Sequence, residues 1–247
     1  MSSMVPPPSS TRYERRPRRV LVVGATGRLG IRIARALRAR DDRVILTARD
    51  PSKLAAMSLE LGGIEVAKTV CVDLTTRDAS DRIATQVREY GGIDDVILAC
   101  GPFPRTPFEG LRREDLERTL AVHAIAPLLL VAALSSELIA SKGAVIALGD
   151  AGVTRPYENH VAYLTAKGAL QTGLRALAVE LAPHVRINMV ALGIVADPEA
   201  DADPLRTHRL ATRSPLGRFG TADEVAHVVL ALLDATWATG EIWGIGR

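Results

Sequence analysis

Arg19-Val20-Leu21-Val22-Val23-Gly24-Ala25-Thr26-Gly27-Arg28-Leu29-Gly30 is the stretch from which the rest of the chain is read. Its first five residues form a short apolar run that predicts a buried strand, and Ile31 to Ala39 continues with apolar residues at helical spacing. The glycines between them allow a tight turn and a close approach of backbone. Strand, glycine turn and helix in that order place backbone N–H groups at a helix N-terminus, where they can hold a pyrophosphate. The spacing is GxxGxxG rather than GxGxxG, and tight strand-to-helix turns use glycine without any ligand, so the turn takes its meaning from the pattern of the residues after it.

That pattern is a regular alternation. Strands are predicted at 43–48, 64–72, 94–99, 143–148 and 184–190, and helices at 51–61, 78–90, 113–141 and 160–182, with Gly62-Gly63 and Gly91-Gly92 as helix stops. Thr221-Ala222-Asp223-Glu224 predicts the capped start of a last helix running to about Asp234, and Glu241 to Ile245 a final strand. Such alternation predicts an α/β fold: a single Rossmann-type, doubly wound parallel sheet of about seven strands with helices on both faces. From 194 to 218 the apolar period fails, and Asp197-Pro198-Glu199-Ala200-Asp201-Ala202-Asp203-Pro204 is acidic and turn-rich, so this stretch is expected to be a lid or a surface loop.

Composition fits one domain over 19–247. The chain has 247 residues, 47% hydrophobic and 24% charged, enough to bury a sizeable core. Residues 1–18, rich in Arg, Pro and Ser, are expected to be a disordered leader. Up to Arg19 there are five arginines against one acid, Glu14; the net charge of the whole chain is +3, so the folded part is close to neutral. A nucleic-acid-binding face is therefore not expected. Arg15-Arg16 precedes too short an apolar run for a twin-arginine signal, and no apolar run is read as reaching the roughly 18 residues of a membrane span. Cys71 and Cys100 lack metal-ligand spacing and read as core thiols of a reducing, cytoplasmic protein.

Cofactor choice is read at the end of the second strand, Thr47-Ala48-Arg49-Asp50. Nicotinamide enzymes that use NAD usually carry an acid there for the ribose hydroxyls. Arg49 instead favours the 2′-phosphate of NADP(H), with Arg28 as a second positive charge. Asp50 argues for NAD unless it starts the next helix ahead of Pro51. Asp73, in Cys71-Val72-Asp73-Leu74, is placed either to accept from an adenine amino group or to turn the chain, and the two are compatible.

Tyr163 and Lys167 lie four residues apart in a predicted helix and so share a face. An ammonium beside a phenol favours the phenolate and makes the hydroxyl a better proton donor near neutral pH. The pair also occurs by chance on exposed helices.

With the glycine turn, Asp73, Tyr163 and Lys167 in order, residues 20 to 244 resemble the short-chain dehydrogenase/reductase family. Several details are similar to its pteridine reductase and dihydromonapterin reductase branch: Arg28 between Gly24 and Gly30, Ala121-Val122-His123-Ala124-Ile125-Ala126-Pro127, Glu180 to Asn188, and Pro215-Leu216-Gly217-Arg218. Thirteen residues before the tyrosine most of the family has a serine, whereas that branch has aspartate, here Asp150. An ionised carboxylate would repel a developing alkoxide but suits a substrate with N–H donors. It would also raise the Tyr163 pKa against Lys167. The plain alternative for Asp150 is a residue that turns the chain after the strand. The resemblance implies a catalytic trio of Asp150, Tyr163 and Lys167. It implies cofactor contacts from Gly24, Arg28, Leu29, Gly30, Arg49, Asp73, Leu74, Tyr163, Lys167 and Gly193. Phe103, together with Asp150 and Tyr163, is implied at the substrate, stacking a pterin against the nicotinamide; otherwise it is a loop hydrophobe. A homotetramer packed through the helices at 113–141 and 160–182 is implied as well, and Ala132, Ala133, Ala169 and Ala176 would allow close helix approach.

The family's Asn-Asn-Ala-Gly is here Leu98-Ala99-Cys100-Gly101, its helix asparagine is His123, its Pro-Gly after the sixth strand is Leu192-Gly193, and the chain ends Gly244-Ile245-Gly246-Arg247. The leading expectation is an NADPH-dependent reductase of a pterin-like C=N bond. The alternatives are a carbonyl or alcohol oxidoreductase acting on a ketone, and a non-catalytic NADP(H)-binding regulator.

Overall fold

The computed structural model describes residues 16–196, 208, 210–212 and 214–246. Seven parallel strands form one sheet: β1 (Arg19–Val23), β2 (Arg43–Ala48), β3 (Ala67–Cys71), β4 (Asp95–Leu98), β5 (Ala144–Asp150), β6 (Arg186–Leu192) and β7 (Ile242–Ile245), in the spatial order β3-β2-β1-β4-β5-β6-β7. The order reverses between β1 and β4, and the crevice at such a reversal, beyond the C-terminal strand ends, is where open α/β sheets bind ligands.

Alternation along the strands separates two cores. Leu21 and Val23 of β1 join Ile83 and Val87 of α3 (Ala79–Glu89), Leu130 of α5 (Ala126–Ala133) and Leu170 and Leu174 of α7 (Val161–Glu180) on one face. Val20 and Val22 face the other way, onto Ile33 and Leu37 of α1 (Arg28–Arg38), Leu54 of α2 (Pro51–Glu60) and Val229 and Leu232 of α8 (Ala222–Asp234). Successive side chains of a strand point to opposite faces, so a run such as Val20-Leu21-Val22-Val23 is buried throughout only when both faces are covered. The doubly wound expectation is met in this way.

Two helix starts carry their caps in the sequence. Asp50 accepts from the Lys53 N–H at 3.0 Å ahead of Pro51, and Thr221 and Glu224 form a reciprocal capping box on α8.

The single helix expected over 113–141 is divided. α4 (Arg113–Leu120) passes into a π-turn at Ala121–Ile125, then α5, and α6 (Ser135–Ser141) follows a break at Leu134. Proline at 127 has no N–H for the carbonyl of His123, four residues earlier, so the regular ladder cannot continue there and the wider turn takes its place. By length and composition, the helical stretch Arg113–Ala133 is apolar enough to cross a membrane, which corrects the reading that no segment is. In the fold its Ala124, Leu130 and Val131 belong to the core.

Cys71 is also corrected: it is exposed, because β3 is an edge strand, and its Sγ donates to the Arg49 carbonyl at 3.4 Å. Arg16 and Arg18, counted with the leader, meet Asp94 at 2.8 Å and Asp95 at 2.5 Å. Residues 1–15 lie outside the described residues, and so do 197–207, 209 and 213 of the stretch 194–218 expected as a lid or loop, including all of its acidic part.

Candidate active site

A cleft of about 290 Å³ opens at the reversal of strand order, lined by Gly24, Thr26, Gly27, Arg49, Asp73 and Leu74 and by the segment after β4. The glycine turn is tied to β2: the N–H groups of Gly24 and Ala25 both donate to Thr47 O, at 3.1 and 2.9 Å. Gly24 has φ +81°, and a Cβ on it would lie 2.6 Å from the Cys100 Cα. A Cβ on Gly30 would lie 2.3 Å from Gly24 O, so that glycine serves the close packing of helix on turn. α1 has no side-chain cap, in contrast to α2 and α8, and no acid in its first turn. Its N-terminal N–H groups thus suit an anion in the cleft. Leu29 packs against the core beside the turn.

Arg49 stands exposed at the cleft, and the competing acid, Asp50, is taken up by its helix cap. Arg28 does not join Arg49. Its guanidinium donates to Val195 O at 2.6 Å, fastening the glycine turn to the segment after β6. Asp73 lines the cleft while accepting from the backbone N–H and hydroxyl of Thr75, each at 2.9 Å, and the backbone bond chiefly holds its pKa below the ordinary carboxylate value. Gly193 is required by packing: a Cβ there would lie 1.8 Å from Gly246 O.

Beyond the cleft, the end of β5 faces the first turns of α7. Asp150 is the last strand residue, paired with Leu192, and its side chain also caps the turn that follows, so the turn-forming reading holds beside the catalytic one. Its carboxylate accepts three hydrogen bonds: from Gly152 N at 2.7 Å, Tyr163 Oη at 3.0 Å and Tyr157 Oη at 3.1 Å. Lys167 and Tyr163 are both buried on one face of α7, as their spacing predicts. The ammonium donates to Leu148 O at 2.8 Å and lies 5.8 Å from the Tyr163 ring centre. Burial lowers the Lys167 pKa, opposed by Cys100 and Asp150.

The Tyr163 phenol is pushed above its ordinary value, by burial first and then by the Asp150 charge and hydrogen bond. That reverses the expectation of a lowered pKa: the Lys167 ammonium lies 5.8 Å from the ring centre, while Asp150 touches the hydroxyl directly.

Phe103 is 59% exposed, stacks on His160 with ring centres 4.3 Å apart and meets the Tyr163 ring edge-on at 4.8 Å. Its loop is joined to the approach to α7 by the Thr106 N–H, which donates to Asn159 O at 2.6 Å. His123, in the π-turn, lies edge-on to Tyr163 at 5.2 Å and donates through Nε2 to Pro102 O at 2.8 Å. Its pKa is lowered to about 3, chiefly by burial and then by Lys167.

The fold thus brings Asp150, Tyr163, Lys167 and Phe103 together and puts Gly24, Arg49, Asp73 and Leu74 on the adjoining cleft. Sequence reasoning missed Tyr157 and His160, which lie in an irregular stretch with no periodicity. The one available signal was the density of ring side chains between Asp150 and Tyr163.

Comparison with known proteins agrees with this layout. A family model described as enoyl-(acyl carrier protein) reductase matches residues 24–245. The chain is 32% identical to the L-xylulose reductase of Bos taurus over 222 residues, covering 87% of this chain and 88% of that protein. It is 30% identical to the D-erythrulose reductase of Gallus gallus over 224 residues, covering 88% and 89%. Among solved structures, a 3-oxoacyl-(acyl-carrier-protein) reductase of Agrobacterium tumefaciens with NADP bound superposes with a TM-score of 0.85 at 25% identity, covering 92% of each chain. The L-sorbose reductase of Gluconobacter frateurii, complexed with NADPH and L-sorbose, shares the fold with a TM-score of 0.84 at 20% identity, covering 93% of this chain and 95% of that one. The likeness extends from the glycine turn to the last strand, and the chain belongs to the short-chain dehydrogenase/reductase family.

Proposed function

We propose that the protein is an NADP(H)-dependent reductase of a small carbonyl compound. The observation that carries this reading is the placement of the Tyr163 hydroxyl and the Lys167 ammonium at the end of β5, next to a cleft whose glycine turn and Arg49 fit a phosphorylated dinucleotide. When bound, the nicotinamide supplies hydride. Tyr163 then donates the proton, Lys167 holds ribose hydroxyls, and the α1 N-terminus and Arg49 hold phosphate. The ketose reductases among the relatives support a carbonyl substrate over the pterin expected from single positions.

A second reading keeps the pterin-like C=N bond. Asp150 favours it, because a carboxylate accepts from N–H donors, and Phe103 offers a ring face for stacking. NADPH oxidation by the purified protein, followed across ketoses, simple ketones and oxidised or dihydropterins, separates the two. Turnover of ketoses or ketones supports the first reading, and turnover confined to pterins overturns it.

A homotetramer packed through α4–α5 and α7 belongs to the same proposal. Ile125 and Leu129 are about half exposed there, Val179 more so, and Ala132, Ala169 and Ala176 are exposed rather than used in internal packing.

A further inference from the structure

Asp150 is an odd neighbour for a ketone. The atom that is reduced at this site must come within hydrogen-bond reach of the Tyr163 hydroxyl, and that hydroxyl lies 3.0 Å from Asp150 Oδ2. A substrate carbonyl oxygen is therefore held within about two hydrogen-bond lengths of a group that only accepts. A simple ketone also only accepts, so its oxygen, which gains negative charge during reduction, is brought close to the carboxylate without a donor of its own to offer it.

The hydrogen bonds around Asp150 show what would resolve this. Gly152 N holds Oδ1, while Tyr157 and Tyr163 share Oδ2. Tyr163 has one proton and cannot serve Asp150 and a substrate oxygen together. As it turns to the substrate, Oδ2 keeps Tyr157 and loses one donor. Tyr157 and Gly152 are fixed in this arrangement: a Cβ on Gly152 would lie 2.3 Å from Tyr157 Cε1 and 2.8 Å from Asp150 Oδ1, so glycine at 152 lets the phenol and the carboxylate meet. The carboxylate thus stays oriented with an acceptor position to fill.

We propose that the substrate carries a hydrogen-bond donor, a hydroxyl or an amine, on the carbon beside the reacting carbonyl, and that Asp150, held by Tyr157, selects it. The inference rests on the carbonyl-reductase reading and names the substrate class within it: α-hydroxy and α-amino ketones. On adjacent carbons, one heteroatom accepts from Tyr163 while the other donates to the oxygen that Tyr163 has left. The carbonyl carbon gains hydride from the reduced nicotinamide, its oxygen gains the Tyr163 proton, and the phenolate is reprotonated from solvent. The donor group is unchanged, so the product is a vicinal diol or amino alcohol with the oxidised nicotinamide. Tyr157 is a positioning residue, since it acts through Asp150.

Matched substrates test the proposal: 3-hydroxy-2-butanone against 2-butanone, and dihydroxyacetone against acetone, each with NADPH. A site built to hydrogen-bond a substrate group rejects the analogue lacking it strongly, so kcat/KM is expected to favour the hydroxylated member by at least about 100-fold. Asp150→Ser, whose hydroxyl can donate to a bare ketone, is expected to reduce that preference below about tenfold by improving the simple ketones. Tyr157→Phe is expected to raise KM for the hydroxyketones more than it lowers kcat, with NADPH binding unchanged. Wild-type preference within about threefold overturns the proposal and leaves the carbonyl-reductase reading standing. Bound NADPH with no ketone of either kind reduced overturns that reading as well. Because the wild-type comparison decides by itself, the outcome does not depend on either variant folding.

Discussion

The His123 imidazole occupies the space that a side chain on residue 101 would need: a Cβ built on Gly101 lies 2.1 Å from His123 Cε1 and 2.5 Å from Nδ1. Two departures from the family pattern, the Leu98-Ala99-Cys100-Gly101 segment and histidine in the long helix, are therefore one packing solution. The π-turn brings the ring up against the β4 exit, and Gly101, at φ +109°, leaves room for it.

Gly101→Ser is expected to destabilise the protein by more than about 2 kcal/mol, from the clash and from backbone strain at positive φ. His123→Asn in the same chain should recover the part due to the clash and none of the strain. A double-mutant cycle by urea denaturation reads that coupling, expected to exceed about 1 kcal/mol in the sense that the double variant is less damaged than the sum of the singles. Additive effects would show that the ring moves aside at no cost.

His123 also sets an acid limb. Its folded pKa of about 3 lies below the ordinary 6.5, so its contribution to stability is fully present above about pH 6.5 and is lost as pH falls towards 3. Between pH 6.5 and 5 the loss is about 2 kcal/mol. His123→Asn is expected to flatten that limb, measured as the change in urea midpoint between pH 7 and pH 5. An unchanged slope would mean that the imidazole can charge within the fold.

Arg18 and Asp95 work in the opposite direction. Asp95 is fully buried and its pKa is raised to about 6, because burial outweighs Arg18 at 2.5 Å and the Ala144 N–H at 2.8 Å. Its favourable protonated form is present below about pH 4, and the associated stability is lost as pH rises through 6. Arg18→Ala leaves a buried carboxylate unpaired and should cost about 3–5 kcal/mol at neutral pH. The cost should shrink towards pH 5, where Asp95 takes up a proton. Chemical denaturation at the two pH values checks the trend, and a cost that grows on acidification would contradict it.

Whether a residue's role can be read from sequence depends on where its partners sit. The strands and the glycine turn are readable because both faces of the sheet are covered, so the β1 side chains from Val20 to Val23 have to be apolar and the turn has to be glycine. Asp50 and Thr221 can be read as caps because capping depends on near neighbours alone. Legibility fails where distant segments meet. Nothing local says that Arg28 reaches across to Val195, since that depends on how the loops after β1 and β6 converge, and Tyr157 reaches Asp150 inside the irregular connection after β5, where no periodicity fixes the direction of a side chain. The helix at 113–141 reads as continuous because its composition is uniformly helical, and only Pro127 carries the mark of the π-turn.

The separation of Arg28 from Arg49 gives a cofactor prediction. Charge-assisted hydrogen bonds contribute about 1.5–3 kcal/mol, so Arg49→Ala should lower the NADPH-over-NADH preference by about 10- to 100-fold. Arg28→Ala removes the 2.6 Å bond to Val195 O and should weaken both cofactors together, with little change in their ratio. Dissociation constants for the two cofactors, measured by quenching of protein fluorescence, distinguish these outcomes. A collapse of the ratio in Arg28→Ala would place that side chain at the 2′-phosphate after all.

Tyr163 is expected to be the proton donor, so Tyr163→Phe should lower kcat for reduction by about 10²- to 10⁴-fold with cofactor binding retained. The role of Asp150 shows in the pH profile. A phenol donates only while protonated, so reduction is sustained below its pKa and lost above it. Burial and then Asp150 push that pKa above the ordinary value of 10. Asp150→Ser removes the second cause and leaves the first, so the alkaline limb of kcat for reduction should move to lower pH while remaining above that of an exposed tyrosine. The contrast with Lys167 is one of distance: its ammonium lies 5.8 Å from the ring centre, whereas Asp150 is in direct hydrogen-bond contact with the hydroxyl. If the limb of Asp150→Ser stays in place, the carboxylate leaves the phenol once substrate binds, and Lys167 then governs the tyrosine alone.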